Sequence, residues 1–289
     1  MSGSREERWL VFGGSGHLGT ALVRELTAGH AVVHAPTHAE VDLTVDDLEP
    51  VFEATSPSAV INATAYNDVD GAESESNRKL ACGLNRDAPA RLARLCADRE
   101  LPLVHVSTDY VFDGRAARPY REEDPAKPLQ VYGRSKLSGE RVVLETHPRA
   151  VVARTSTLYG DDRRGGSNYV TAILRQARRT GVLEVTELPV ASPTYARDLA
   201  RALLALVDRE ASGLVHVAND GGCSRLELAT EALRLTGLHD RVDLRTRPAS
   251  SGGAARPAYS VLDSSRFARL TGRPMPAWRD ALRDFLASP

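Results

Sequence analysis

Lysine and cysteine are scarce in this chain of 289 residues. The 37 basic residues include only three lysines, and all the others are arginines; the lysines are Lys79, Lys127 and Lys136. The cysteines are equally few, and they are Cys82, Cys96 and Cys223. Their number and wide spacing exclude a disulfide framework and a CxxC metal site. The sequence therefore predicts reduced, buried thiols, no bound metal and a cytoplasmic setting.

The chain also lacks a charge excess and long apolar runs. Its formal net charge is −1, and the arginines are interspersed with acidic residues, which argues against a surface for a polyanion. The opening segment MSGSREERWL is polar and has no apolar signal core. No run approaches the roughly 18 apolar residues that a membrane span needs. We expect an unexported protein that has no nucleic-acid or membrane partner.

Short apolar runs alternate with longer segments of helical periodicity, which is the pattern of βαβ units and a parallel sheet. The predicted strands are WLVFGG, AVVHAPT, PSAVINAT, LPLVHVST, AVVARTS, VLEVTE and GLVHVAN. Helices predicted between them include GTALVRELTAG and RSKLSGERVVLETH. Because 42% of the residues are hydrophobic, the chain can bury a sizeable core. The pattern predicts an α/β fold, as one large domain or two unequal lobes.

The first predicted strand runs into a glycine-rich turn, GGSGHLG, that opens an amphipathic helix. Its GxxGxxG spacing is typical of dinucleotide binding: one glycine allows a tight turn, one lets a pyrophosphate approach the backbone, and one lets helix and strand pack closely. The residues predicted to contact the cofactor here are Gly13, Ser15, Gly16, His17, Leu18 and Gly19. A purely structural turn is the alternative.

The end of the second predicted strand indicates which dinucleotide is used. An acid there binds the ribose 2′-hydroxyl of NAD, whereas a base accommodates the 2′-phosphate of NADP. The strand ends in Thr37 and His38, with no acid in place, which favours NADPH and leaves NADH as the alternative. Asp42 follows too late for the ribose and suits the adenine edge, together with Leu43.

Tyr132 and Lys136 are spaced by four residues in a predicted helix, so their side chains share one face. An ammonium beside a phenol favours the phenolate and lowers the pKa of the tyrosine. Such a tyrosine can give a proton to a carbonyl oxygen as hydride arrives at carbon. Thr108, just past a predicted strand, can orient the same oxygen. A solvated helix face is the alternative interpretation of the Tyr-Lys pair.

These motifs together resemble a known family. Ser/Thr, Tyr and Lys with GxxGxxG are similar to the extended short-chain dehydrogenase/reductases, and more closely to the dTDP-4-dehydrorhamnose reductases. The resemblance rests on INATAYNDVDGAES, VHVSTDYVFDG, VYGRSKLSGE, ASPTYARDLA and RPAYSVLDSSRF. It implies that Tyr132 is the general acid, that Lys136 holds the nicotinamide ribose, and that Thr108 positions the ketone.

The resemblance also implies which residues surround the ligands. Those expected to line the cofactor are Asn62, Ala63 and Ala65, and those expected near the sugar are Val69, Asp70, Asp109, Tyr110 and Thr157. For Asp70 and Asp109 a cap or turn carboxylate remains the alternative. At Thr157 the family commonly has Trp, and Leu188-Pro189 replaces a frequent Asp-Gln. Both departures are expected to border the substrate and to alter the sugar that is accepted.

From the resemblance we expect a doubly wound parallel-sheet Rossmann domain with a smaller C-terminal substrate-binding lobe. The Rossmann domain comprises residues 1–160 and a return segment, 181–210, while residues 161–180 and 211–289 form the lobe. The implied activity is NAD(P)H-dependent reduction of the 4-keto group of a nucleotide-linked 6-deoxyhexose, with a homodimer as the expected assembly. The alternatives are an epimerase or dehydratase of the same superfamily, and a regulator similar to the methionine adenosyltransferase β subunit.

Overall fold

The computed structural model describes residues 7–161, 168–248 and 252–287. Its strands are β1 (Arg8–Phe12), β2 (Val32–His34), β3 (Ala59–Asn62), β4 (Leu103–Thr108), β5 (Val151–Thr155), β6 (Leu158–Tyr159), β7 (Val182–Val185), β8 (Val190–Ala191), β9 (Thr194–Tyr195), β10 (Gly213–His216), β11 (Cys223–Ser224) and β12 (Asp243–Thr246). Its α-helices are α1 (His17–Ala28), α2 (Glu49–Thr55), α3 (Glu75–Cys82), α4 (Ala88–Asp98), α5 (Val131–Thr146), α6 (Tyr169–Thr180), α7 (Ala196–Asp208), α8 (Arg225–Leu235), α9 (Ser265–Thr271) and α10 (Trp278–Ala287).

Six strands form one parallel sheet in the order β10-β5-β4-β3-β1-β2. The strand order reverses at β1, because β2 lies on one side of it and β3 on the other. Ligands of open α/β sheets bind beyond the carboxyl ends of the strands at such a switch point. The predicted doubly wound α/β fold is confirmed, and the functional site is expected where β1 and β3 end.

Helices cover both faces of this sheet. In β1, Trp9 and Val11 face a core shared with α1 and α7, whereas Leu10 and Phe12 face a second core shared with α2 and α4. Side chains alternate between faces along a strand. A strand whose two faces are both covered therefore reads as a continuous apolar run, which is why WLVF could be predicted as a buried parallel strand.

A smaller lobe has its own core between α6, α8 and α10. Leu174, Leu228 and Leu282 are buried in it, each at 5% exposure or less. The strands β7 and β12 pair in parallel at its edge and bury Leu183 against the helices. The lobe therefore folds around contacts of its own.

The observed division differs from the expected one in two segments. Helix α7 packs against α1 as expected for the return segment 181–210, but β7 within that segment pairs with β12 in the lobe. Conversely, β10 and α9, which fall in the expected lobe segment 211–289, join the large sheet and its core. Alternate residues of β7 are buried, so only one face of this strand is covered by the rest of the protein. Every residue of β5 is buried, because both of its faces are covered. Residues 1–6, 162–167, 249–251 and 288–289 of the expected division lie outside the described residues.

Two features are absent from the described residues. No helix there has both the length and the apolar composition needed to cross a membrane. No group of three or more His, Cys, Asp and Glu side chains is arranged there to hold a metal ion.

Candidate active site

A cavity of about 460 Å³ opens where β1, β3, β4 and β5 end. It lies at the switch point of the sheet, and residues from four separate chain segments and α5 converge on it. Its lining comprises residues 15–19, 63–65, 106–109 and 155–158, together with Asn67, Tyr132 and Lys136. Most residues singled out from the sequence are therefore brought together.

The glycine turn has the geometry that dinucleotide binding requires. Gly13 adopts φ +85°, a left-handed conformation that only glycine takes readily. A Cβ on Gly19 would lie 2.0 Å from the Gly13 carbonyl oxygen, so α1 can approach the turn only without one. Gly16 is the N-cap of α1 and supplies no side-chain hydrogen bond to it. The helix therefore presents backbone amides and its positive end to the cavity, which fits a phosphate group.

The loop after β3 forms the opposite wall. Ala63 and Ala65 line the cavity, but Asn62 lies beneath them at 1% exposure. Its Oδ1 accepts hydrogen bonds from the Thr64 amide at 3.0 Å and the Thr64 hydroxyl at 2.6 Å. Asn62 is thus placed to hold the wall in shape instead of lining the cofactor, which differs from the expectation drawn from the resemblance.

The residues expected to bind the adenosine half lie outside this cavity, next to the end of β2. The Thr37 amide and hydroxyl each donate a 2.8 Å hydrogen bond to Glu40 Oε2. Glu40 is therefore an acidic residue close to the end of β2, and it was not predicted from the sequence. The side chain of His38 is 80% exposed, and its Nε2 lies 3.8 Å from Asp42. Asp42 also accepts from the Thr44 amide, while Leu43 is buried in the second core.

Tyr132 occupies the first turn of α5 and hydrogen-bonds to Thr108, the last residue of β4. The Thr108 hydroxyl donates to Asp109 Oδ1 at 3.2 Å and accepts the Tyr110 amide at 3.1 Å. The hydrogen bond to Thr108 acts to lower the pKa of Tyr132, as a donor to the phenolate does, so the single Thr108 proton can serve either Tyr132 or Asp109. Burial raises the pKa of Tyr132 far above its usual value. The opposite shift, a lowered pKa, was predicted from the sequence, because that prediction considered the charge of Lys136 and not the removal of the phenol from water.

Lys136 lies one turn further along α5 and is only 2% exposed. Its Nζ donates a 2.6 Å hydrogen bond to the carbonyl oxygen of Val106 on β4. Burial lowers the pKa of Lys136 to about 8, and the charge of Glu140 opposes that shift. The solvated helix face, the alternative interpretation of the Tyr-Lys pair, is wrong, because α5 turns this face toward the sheet.

Asp109 lines the cavity yet is 2% exposed. Its Oδ2 accepts hydrogen bonds from the Ser156 hydroxyl at 2.8 Å and the Ser260 hydroxyl at 2.5 Å. Burial raises the pKa of Asp109 to about 6, although these hydrogen bonds act in the other direction. The neighbouring Tyr110 ring meets the Tyr132 ring edge-on, with centroids 6.0 Å apart. Asp109 and Tyr110, which are both expected near the sugar, thus adjoin Tyr132, the expected general acid.

The other residues expected near the sugar are placed differently. Thr157 is exposed, lines the cavity and has φ +36°, which is unusual for a β-branched residue. Asp70 is outside this cavity, and its Oδ2 pairs with Arg256 Nη2 at 2.7 Å. Val69 is half-buried and does not line the cavity. Leu188 and Pro189 line a second cavity together with Asp70.

Several supporting residues were not found from the sequence. Glu140 follows Lys136 by four residues. The spacing that placed Tyr132 and Lys136 on one face of a helix therefore also places Glu140 there, and it could have been found in the same way. Ser260 reaches Asp109 from 151 positions away along the chain, and no local pattern indicates such a contact. Asn85 serves the backbone, because its side-chain amide exchanges hydrogen bonds with the amide and carbonyl of Tyr66.

Comparison with known proteins agrees with this arrangement. The family model of the RmlD substrate binding domain matches residues 7–288. A dTDP-4-dehydrorhamnose reductase of Mycobacterium tuberculosis is 40% identical, over 99% of this chain and 94% of the relative. A dTDP-4-keto-6-deoxy-D-glucose reductase of Streptomyces niveus is 36% identical, over 96% of this chain and 95% of the relative.

A solved structure is similar over the same extent. The dTDP-4-dehydrorhamnose reductase of Bacillus anthracis, in complex with NADP, has a TM-score of 0.90 and 31% identity, and it covers 98% of this chain and 99% of that one. The family model and the relatives each match nearly the whole chain, so the resemblance drawn from the sequence is confirmed. The chain belongs to the dTDP-4-dehydrorhamnose reductase family.

Proposed function

We propose that this protein reduces the 4-keto group of a dTDP-linked 6-deoxyhexose with NADPH, with NADH as an alternative reductant. The observation that carries the proposal is the convergence of Thr108, Tyr132 and Lys136 with the glycine turn on one cavity. The relatives' names supply the substrate class, since they are reductases of dTDP-linked 4-keto sugars. NADP is the ligand in the B. anthracis structure.

The residues present fit a dinucleotide. The amides at the start of α1 would hold its pyrophosphate, and Gly13, Ser15, His17 and Leu18 would surround it. Ala63 and Ala65 would line it, and Lys136 would donate to the nicotinamide ribose. Thr37, His38 and Asp42, with Leu43 behind them, would adjoin the adenosine end near β2. When bound, the reduced nicotinamide supplies the hydride.

Tyr132 supplies the proton in this proposal. Its raised pKa keeps the phenol protonated at neutral pH, and the phenol is within hydrogen-bond reach of Thr108. A ketone oxygen that accepts a hydrogen bond from the Tyr132 hydroxyl would receive the proton as its carbon is reduced. Lys136, which is cationic below its pKa of about 8, would stabilise the phenolate that remains.

Thr108 and Asp109 would position the ketone. The Thr108 hydroxyl is anchored through Asp109, and Asp109 is anchored through two serine hydroxyls. Holding reactants in one geometry supplies a large share of catalysis, and the Thr108 hydroxyl would do this at the ketone oxygen once its proton turns from Asp109 to that oxygen. Tyr110 and Thr157 would contact the rest of the sugar.

The proposal is tested with a panel of dTDP-4-keto-6-deoxyhexoses, each supplied with NADPH and with NADH. We expect stoichiometric oxidation of NADPH and a product with a hydroxyl at C4. An epimerase or dehydratase would change the sugar without net oxidation of NADPH. A regulator would give no turnover and would instead co-purify with a methionine adenosyltransferase. Either result would reject the proposed reduction.

Two further expectations belong to this proposal. A homodimer is expected and is tested by light scattering on the purified protein, where the mass of a single chain would reject it. A cytoplasmic location is expected and is tested by fractionating cells that produce the protein, where recovery with the membrane or the culture medium would reject it.

A further inference from the structure

A buried histidine that the proposed reaction does not use lies next to the active-site cavity. His105 is on β4, immediately before the residues of that strand that line the cavity, and it is 0% exposed. It is in register with Asn62 on β3, so the two side chains lie on the same face of the sheet. Asn62 Nδ2 and His105 Nδ1 are 3.2 Å apart, which makes them a hydrogen-bonded pair.

The hydrogen bonds of Asn62 determine which atom of this pair donates. Asn62 Oδ1 accepts from the Thr64 amide at 3.0 Å and from the Thr64 hydroxyl at 2.6 Å. A backbone amide can only donate, so Oδ1 must face Thr64 and the Nδ2 group must face His105. Because Nδ2 also can only donate, His105 Nδ1 accepts, and the proton of the neutral imidazole is on Nε2. His105 thus holds the Asn62 amide in the orientation that Thr64 requires.

The acceptor on His105 exists only while the imidazole is neutral, because the cationic form has a proton on each nitrogen. Burial lowers the pKa of His105 well below its usual value, and the charge of Lys136 acts in the same direction. The imidazole therefore remains an acceptor throughout the neutral pH range.

Packing alone does not explain a histidine at this position. Its Nε2 is buried and has no hydrogen-bond partner among the described residues. A buried donor without a partner is unfavourable, whereas an apolar side chain of similar volume, such as leucine, would fill the space without that penalty. The acceptor nitrogen is therefore the better explanation of the residue.

The loop that Asn62 supports, residues 63–65, forms one wall of the cavity and also touches the glycine turn. A Cβ on Gly13 would lie 2.8 Å from the carbonyl carbon of Ala63, so the two segments are in contact. The Ala63 amide donates to the Phe12 carbonyl oxygen at 2.9 Å. A shift of this wall would therefore move one side of the cavity relative to the turn that would hold the pyrophosphate.

We propose that His105 is a positioning residue for the dinucleotide, because it holds the wall of residues 63–65 in place through Asn62. This inference rests on the proposed function and extends it to a residue that does not line the cavity. His105 acts on the affinity for the cofactor and not on the chemical step.

The test measures Kd for NADPH by calorimetry, with native protein, His105→Leu and His105→Asn. Leucine keeps the volume and removes the acceptor, whereas asparagine is smaller and carries its Oδ1 near the position of Nδ1. We expect Kd to rise at least about 5-fold in His105→Leu, which corresponds to about 1 kcal/mol for one hydrogen bond. In His105→Asn it should stay within about 2-fold of native. A packing role predicts the reverse order, and that result would overturn the proposal.

A double-mutant cycle tests whether the effect passes through Asn62. In the Asn62→Ala background, His105→Leu should change Kd for NADPH by less than about 2-fold, and an undiminished effect would overturn the proposal. The matched control is His147→Leu. His147 is also buried, its Nε2 donates to the Leu101 carbonyl oxygen at 2.8 Å, and it does not line the cavity. This control should bind NADPH like native protein, and a rise equal to that of His105→Leu would overturn the proposal.

The tautomer is measured on native protein without any cofactor, by ¹H–¹⁵N NMR of the histidine rings. The signals of His105 are assigned by their loss in His105→Asn. We expect a proton on Nε2 and none on Nδ1 at neutral pH. A proton on Nδ1 would overturn the proposal, and this outcome does not require His105→Leu to fold.

None of these measurements depends on ketone reduction. If the variants behave as expected but native protein reduces no 4-keto sugar, the proposed function is rejected and the role of His105 stands. If native protein reduces the sugar and His105→Leu binds NADPH with native Kd, the role of His105 is rejected and the function stands. With both correct, KM for NADPH should rise about 5-fold in His105→Leu while kcat stays within about 3-fold.

Discussion

Glu140 and Arg154 form a buried bidentate ion pair between α5 and β5. Arg154 Nε donates to Glu140 Oε1 at 2.9 Å and Nη2 donates to Oε2 at 2.7 Å, and both side chains are 4% exposed or less. Ser107 donates to the same carboxylate at 2.6 Å. The pair fixes the helix that carries Tyr132 and Lys136 to the strands that end in the active site.

Breaking this pair should destabilise the protein strongly. In Glu140→Gln the guanidinium of Arg154 stays buried without its counter-charge, so we expect the free energy of unfolding to fall by about 3–5 kcal/mol. Urea unfolding measures it. Glu145→Gln, on an exposed face of the same helix, is the control and should change stability by no more than about 0.5 kcal/mol. Equal effects of the two substitutions would contradict the assigned importance of the pair.

Lys136→Arg should lower kcat/KM about 10-fold or more, because the larger planar guanidinium cannot occupy the buried site from which Nζ reaches Val106. Lys127→Arg is the matched control, since Lys127 is exposed and away from the cavity, and steady-state kinetics should find it native-like. Native activity in Lys136→Arg would mean that any cation serves at this position.

Asp109 should make stability depend on pH in a defined direction. Burial raises its pKa from 3.8 to about 6, so the folded protein holds this proton more tightly than the unfolded chain. The resulting stabilisation is full below pH 3.8 and is lost as the pH rises through about 6. We expect the stability of native protein relative to Asp109→Asn to fall over this range, as followed by urea unfolding. A difference that stays constant or rises with pH would contradict it.

Thr157 should set which sugar is accepted. The family resemblance places a large aromatic at this position, and an exposed Thr beside the cavity leaves more room and adds a hydroxyl. We expect native protein to prefer a 4-keto sugar modified at C2 or C3 over the plain rhamnose precursor, and Thr157→Trp to reverse that ratio of kcat/KM. Thr157→Val separates the hydroxyl from the added room. An unchanged ratio in the Trp variant would remove this role.

Much of the fold and part of the site could be predicted because their signals are local. The runs WLVF and VVA are apolar throughout since their strands are covered on both faces. Tyr132 and Lys136 could be paired because four residues make one helical turn. By contrast, VLEV alternates and pairs within the lobe, and that pairing depends on β12, about 60 residues away.

The rest depends on burial and on distant contacts. The lysine charge suggested a lowered pKa for Tyr132, but removal of the phenol from water outweighs it and raises the pKa. Asp70, which is expected near the sugar, is paired with Arg256, and this partner lies 186 positions further along the chain. Neither the degree of burial nor the partner at such a distance is encoded in local spacing.

The most direct test of the central claim follows the hydride and the proton together. Native protein, NADPH deuterated at the transferable position of C4 and a dTDP-4-keto-6-deoxyhexose are incubated, and the product is examined by NMR. We predict deuterium at C4 of the sugar, and at least about 100-fold slower incorporation by Tyr132→Phe with native affinity for NADPH, because general acid catalysis contributes about 10²–10⁴-fold. Product without deuterium at C4, or near-native turnover by Tyr132→Phe, would contradict the account.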